Sequence, residues 1–297
     1  MRTGFTRTPW SIYRHVKGKP WNLERTETMN ITKEISLYIA ETEFSDIPQD
    51  VLRMGKLCFL DWLGVTIAGA KSEVRSVVQK YLSLFSSTGP ATMIGFNKKY
   101  DLPSATLVNG MLSHALDFDD YHMSTILHTT APSLPAILAT AEYMKSNGKD
   151  LLTAIILAID ITLRLGMGVG RVHYDRGWHI TSTIGRFGAV AGVSSLLNLD
   201  LGTIVNALGI AGTSGGGLRN VFGTMSKPYH AGKAAMDGLM ACFLAQKGLD
   251  SSADIFDGKH GFFELFTENP DHKAITNGLG KQFLLSEICF KTYPAPL

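Results

Sequence analysis

No stretch of this sequence alternates apolar and polar residues with period two over any length, whereas apolar residues recur at three- and four-residue spacing along most of it. Ile31, Ile35, Tyr38 and Ile39 form one such stripe, with Asn30 or Thr32 available as a cap. Pro48 can open a helix, because its missing N–H costs nothing in a first turn. Val51, Leu52, Leu57, Phe59, Leu60, Leu63 and Ile67 then follow, apolar almost all round, which predicts a central helix. Further helices are predicted over 74–84, 103–116, 133–144, 150–165, 181–197, 201–211 and 228–247, with Asn147-Gly148 and Lys247-Gly248 read as stops. A single short strand is expected over 91–96. The pattern implies an all-α fold of many antiparallel helices with short connections. No fixed-period repeat points to a solenoid.

Composition narrows the function classes. With 45% hydrophobic and 18% charged residues over 297 positions, the chain can bury a core and is not disordered as a whole. A formal net charge of +2 and the lack of a basic stripe with interleaved aromatics argue against a nucleic-acid binder. Cys58, Cys242 and Cys289 are far apart and odd in number, so reduced thiols and a cytoplasmic setting are expected. The most apolar stretch, 151–170, carries Asp160 and Arg164 and reads as a buried core helix, with no membrane partner expected. Residues 1–28 are Arg- and Lys-rich and acid-poor. They resemble a transit peptide, or they precede a true start at Met29. Residues 29–275 read as the helical domain. Residues 276–297 read as the start of a small α+β domain whose remainder is missing.

Four segments could carry chemistry. Asp117-Phe-Asp-Asp-Tyr-His122 is followed by His128-Thr-Thr-Ala-Pro132. A carboxylate that orients an imidazole makes a general acid/base, and Tyr121 could relay a proton. His179 falls just before a predicted helix capped by Thr181 or Ser182, where a helix N-terminus would hold its pKa down. Lys227, His230 and Lys233 crowd the start of another helix. That is the unfavourable end for cations, so an anionic ligand would explain them. Gly215-Gly-Gly217 could deliver Arg219 to a carboxylate, or could simply join two helices; no P-loop or dinucleotide motif is present. Asp117, Asp120, His122 and His128 could in principle hold a divalent ion, but no metal motif is required, and a magnesium–diphosphate site lacks its second acidic motif. Proton abstraction beside a carboxylate, with fixed positive charge meeting the developing anion, fits these groups.

At these residues the chain resembles the MmgE/PrpD family. The resemblance is carried by Cys58-Phe-Leu-Asp-Trp-Leu-Gly-Val-Thr-Ile-Ala-Gly69, Asn109-Gly-Met-Leu-Ser-His-Ala-Leu-Asp-Phe-Asp-Asp-Tyr-His122, His128 with Pro132, Trp178-His179 with Gly185, Gly217 through Ala235 with its Lys227-Pro-Tyr-His230 string, and Phe290-Lys-Thr-Tyr-Pro294. It implies a large all-α domain with a smaller α+β domain inserted before the C-terminal helices. It also implies a homodimer and a cofactor-independent lyase or isomerase acting on small di- or tricarboxylates. Asp117, Tyr121, His128, His179 and Lys227 would be catalytic, with Asp117 orienting His128. His122, Arg219 and His230 would bind substrate. No metal or cofactor is expected. A hydro-lyase resembling 2-methylcitrate dehydratase is the leading expectation, since Tyr121 stands where decarboxylase members carry Thr. A decarboxylase or epimerase with the same site, or a catalytically silent remnant, is the alternative.

Overall fold

The computed structural model describes residues 30–85 and 87–294. The expected extension over 1–28 lies outside these residues. The fold is all-α, as the periodicity predicted. The helices are α1 Ile31–Glu41, α2 Gln49–Gly69, α3 Glu73–Phe85, α4 Leu102–Ser113, α5 Leu134–Met144, α6 Gly148–Asp175, α7 Ile180–Leu197, α8 Leu201–Thr213 and α9 Ser226–Gln246, followed by the short α10 Phe262–Phe266 and α11 His272–Thr276. Among the described residues the strands form two short antiparallel pairs: β1 Ala91–Thr92 with β2 Lys99–Tyr100, and, far apart in the chain, β3 Tyr121–His122 with β4 Ile288–Cys289.

Several boundaries differ from expectation for identifiable reasons. The strand expected over 91–96 ends at Thr92, because the chain turns at Gly95, whose φ is 83°. Pro48 is the N-cap of α2 instead of its first residue. Asn147 starts α6 instead of stopping α5; its side chain accepts from Lys149 N and Asp150 N, while Lys145 in the left-handed region ends α5. α6 runs past its predicted end to Asp175 but is broken at Gly170 (φ 66°, ψ −179°), a conformation open to glycine.

α6 and α7 form the centre. Both are long and apolar enough to cross a membrane by length and composition, yet 94% of each apolar window is buried inside the fold. α4 and α9 approach so closely that a methyl group on Gly110 would sit 2.5 Å from Gly232 Cα, and one on Gly232 would sit 2.2 Å from Leu107 O. Only hydrogen fits at either position.

Two buried ion pairs pin remote segments to this centre. Arg164 donates from Nε to Asp160 Oδ2 at 2.7 Å and from Nη1 to the carbonyls of Ile275 and Asn277 at 3.0 and 2.9 Å. Asp160 Oδ1 accepts from Leu284 N at 2.8 Å, and Tyr38 Oη donates to Oδ2. Residues 276–291, read from sequence as the opening of a second unit, are thereby tied to the helical body, and Phe290 packs against its core. Arg186 bonds Asp237 at 2.7 Å, and Lys233 pairs with the same carboxylate. Lys233 therefore has a structural partner within its own helix.

Candidate active site

The site begins where α4 ends. His114 caps α4 and is 1% exposed. Asp117 then sits at φ 51°, and Ile126 at φ 57°. Left-handed backbone is disfavoured for both, most of all for a β-branched residue, and such strain persists where surrounding contacts over-determine it. The contacts are present. Pairing of β3 with β4 fixes Tyr121 and His122. Between the two strained residues, buried Asp120 accepts from Thr129 N at 3.3 Å, Thr129 Oγ1 at 2.5 Å and Thr130 N at 3.1 Å, and also from the Thr130 hydroxyl. This folds the loop back and sets His128 beside His114.

Asp119, fully buried, lies between the two imidazoles. His114 Nδ1 is 2.9 and 3.0 Å from its oxygens, and His128 Nδ1 is 3.0 Å from Oδ2, out of line for a full hydrogen bond. His128 Nε2 is 3.6 Å from Asp117 Oδ1. The Asp117 carboxylate is gripped by two ammonium groups. Lys227 pairs with Oδ2, and Lys291 donates to Oδ1 at 3.0 Å and to the Asp117 carbonyl at 2.8 Å.

Across from this group, His179 is the N-cap of α7, although its ring makes no capping bond. This differs from the expected cap at Thr181 or Ser182. Its Nδ1 is 2.9 Å from His230 Nδ1, so the pair shares one hydrogen. Its ring stacks on His114 at 5.7 Å and meets Phe222 edge-on at 4.9 Å. A narrow cleft is lined by Ile126, His128, Tyr174, His179, Phe222 and Lys227. A roomier open hollow at Asp257, Lys259, Glu264 and His272 gathers no buried acid–base pair.

Burial and neighbouring charge sort these groups. Burial opposes ionisation of Asp119, but His114 and His128 outweigh it and hold the carboxyl well below the usual range. Asp117 behaves alike, with burial outweighed by His128, His114 and Lys227. Burial, aided by Asp119, raises Asp120 despite its threonine partners. Burial also pushes Asp61 up to about 7, with Asp120 and Asp119 adding to it. Asp61 Oδ2 is buried without a hydrogen-bond partner. His179 is held well below the ordinary histidine value, by burial first and then by His114, His230, His128 and Lys227. Burial likewise lowers His114 and His230. The site thus sets His114, His179 and His230, biased toward the neutral imidazole, next to Asp117 and Asp119, biased toward the carboxylate, a poise suited to proton transfer.

Ligand atoms of His114, Asp117, Asp119 and His128 lie within 4.8 Å of one another, close enough to surround a metal ion. The set differs from the one read in the sequence, because Asp120 faces Thr129 and Thr130, and His122 is engaged by Thr125 at 2.8 Å and Glu287 at 2.9 Å. Two ammonium groups already face Asp117, and like charge at that distance disfavours a further cation.

Of the residues expected from sequence, the structure brings together Asp117, His128, His179, His230 and Lys227. Tyr121 stands at the edge, its ring 5.8 Å from Lys291 Nζ. Both ring nitrogens of His122 are occupied by Thr125 and Glu287. Arg219, expected to reach a carboxylate, instead lays its guanidinium over the Tyr174 ring at 3.6 Å and donates from Nη1 to Tyr174 O at 2.9 Å. The anion demanded by Lys227 at a helix start proves to be Asp117. Lys227 is the second residue of α9 and not its cap, because α9 begins at Ser226. Sequence reasoning missed His114, Asp61, Phe222, Tyr174 and Lys291. His114 carried a signal, three residues before Asp117 at a helix end. Lys291 carried none, being 174 residues away from its partner.

The MmgE/PrpD N-terminal domain family matches residues 33–275. A protein named cis-aconitate decarboxylase-like protein oryM from Aspergillus oryzae is 31% identical over 287 residues, covering 91% of this chain and 59% of that protein. The cis-aconitate decarboxylase of Aspergillus terreus is 28% identical over 282 residues, covering 89% and 56%. That of Mus musculus is 32% identical over 279 residues, covering 90% and 56%. The chain therefore spans less than two thirds of the length of these relatives.

Proposed function

The chain belongs to the MmgE/PrpD family, and on that premise we propose that it is the helical, carboxylate-handling part of a cofactor-independent lyase for small di- or tricarboxylates. The observation that carries this reading is the clamp of Lys227 and Lys291 on Asp117, next to His128 and opposite His179. Asp117 pairs with both ammoniums. A substrate carboxylate entering the cleft would compete with Asp117 for them. His128 and His179 would then exchange protons with the carbon alpha to that carboxylate.

Carbon dioxide loss is the favoured reaction, because the similar proteins above carry the name cis-aconitate decarboxylase. The C–C bond to one carboxylate breaks, and its electron pair is delocalised into the remaining unsaturated carboxylate, where Lys227 and Lys291 meet the growing charge. The acid form of His128 then protonates carbon. Dehydration is the second reading, favoured by Tyr121 in place of the Thr of decarboxylase members. In it one imidazole removes the C–H proton and another protonates the departing hydroxyl.

Incubation of the purified chain with cis-aconitate and with 2-methylcitrate distinguishes them. Released carbon dioxide supports the first reading, and an unsaturated product without gas supports the second. His128→Ala should reduce either rate by about 10²–10⁴. A folded chain that turns over neither acid, and is not stabilised by either, overturns the proposal.

A further inference from the structure

Asp117 is the carboxylate that sequence reasoning assigns to His128, but the geometry points elsewhere. Asp117 approaches Nε2, at 3.6 Å, and its oxygens face Lys227 and Lys291. The carboxylate behind the ring is Asp119, 3.0 Å from Nδ1. We propose that Asp119 is the positioning residue of His128, and that His114 locks Asp119 for that task, so that one buried carboxylate orients two imidazoles.

The argument rests on donors and acceptors. An ionised carboxylate only accepts. Asp119 is fully buried, so each nitrogen it faces must bring the proton. Both nitrogens are Nδ1. His114 and His128 are then both Nδ1–H tautomers, and each keeps a basic Nε2. For His128 that atom faces the cleft side, next to Asp117. For His114 it is buried without a partner. Asp119 itself does not line the cleft. His114 reaches both Asp119 oxygens, which fixes the plane of the carboxylate. Its ring lies edge-on to His128 at 4.7 Å, which limits rotation of that ring. The arrangement is the general one in which a second residue selects the tautomer of an acid–base histidine. The out-of-line approach of His128 to Asp119 is the looseness expected before substrate draws the ring into place.

Among the described residues, the titratable groups around His128 are Asp117, Asp119, Asp120, His114, His179 and Lys227. Removing Asp119 alone leaves two anionic-to-cationic contacts at Asp117 intact, so its effect is separable from that of the clamp.

The first test needs no turnover. Nitrogen-15 NMR of the histidine-labelled 297-residue chain reports which ring nitrogen carries hydrogen, with His128→Gln and His114→Gln used to assign signals. The expected result is that Nδ1 carries hydrogen at both rings. An Nε2–H tautomer at His128 overturns the proposal, whether or not the chain is active. The second test rests on the acid–base reading above. In Asp119→Asn, kcat should fall by about 10²–10⁴ with KM changed less than about threefold, and the acidic limb of the pH–rate profile should move to lower pH. A folded Asp119→Asn chain with unchanged kcat and pH limb overturns it. If that variant does not fold, or the chain turns over no substrate, the tautomer measurement on the parent chain decides.

Discussion

Lys291 Nζ lies 3.0 Å from Asp117 Oδ1 and 2.8 Å from the Asp117 carbonyl, across 174 residues of chain. The contact joins the segment that follows β4 to the strained turn after α4. It makes the closing segment part of the site and not merely a neighbour of it.

Lys291→Met should therefore weaken both fold and site. A charged hydrogen bond of this kind contributes about 1.5–3 kcal/mol, and Lys227 remains to hold Asp117 in part. A urea midpoint should fall accordingly, and protection by added carboxylates should fall with it. An unchanged midpoint together with unchanged protection would show that Lys227 suffices alone.

The buried imidazoles make stability depend on pH with a definite sign. His179, His114 and His230 are all held below the ordinary value of about 6.5. Below that pH the unfolded chain binds more protons than the folded one, so these groups cost stability as pH falls through about 6.5. His179→Gln removes one of them. Relative to the parent, the variant should gain stability as pH drops from about 6.5 to 5. A parallel pair of melting curves would count against a neutral, buried His179.

Asp61 acts in the opposite direction. Its carboxyl is pushed up to about 7, chiefly by burial. Between about pH 4 and 7 the folded chain binds the extra proton, so stability falls as pH rises through that window. Asp61→Asn should match the parent at or below about pH 4 and melt higher than it at pH 8. Equal melting temperatures at both values would mean that Asp61 is solvated.

Two glycines separate backbone effects from packing. Gly64 lies inside α2 with open space around it. Gly64→Ala should stabilise by about 0.5–1 kcal/mol. Gly170 also has open space, but its φ is 66°. Gly170→Ala should destabilise by about 1–3 kcal/mol, through strain alone. Denaturant midpoints shifting in opposite directions would bear this out; equal shifts would not.

The helices and the acid–base cluster were legible because both are local signals. The Asp117-Phe-Asp-Asp string crowds three carboxylates whose repulsion demands company, and Lys227 at a helix start is electrostatically out of place unless an anion is near. What stayed hidden is what tertiary packing decides. Nothing in the chain order distinguishes Asp119 from Asp117 as the carboxylate behind His128, because that depends on a positive φ at a non-glycine residue. Arg219 looks free in a glycine-rich loop and is instead laid on Tyr174. Lys291 is brought to the site by long-range contacts, among them the pairing of β4 with β3 and the packing of Phe290 on the core.

The glycine seam between α4 and α9 works as a lever. Asp117 extends one arm a short way beyond Gly110, and Lys227 ends the other shortly before Gly232. Helices are stiff along their axes, so separation introduced at the fulcrum is passed on to the tips. The aperture between carboxylate and ammonium is thus gauged by two hydrogen atoms that touch neither group. A single methyl added there would act on the site from afar, prising apart an ion pair whose own residues had not changed.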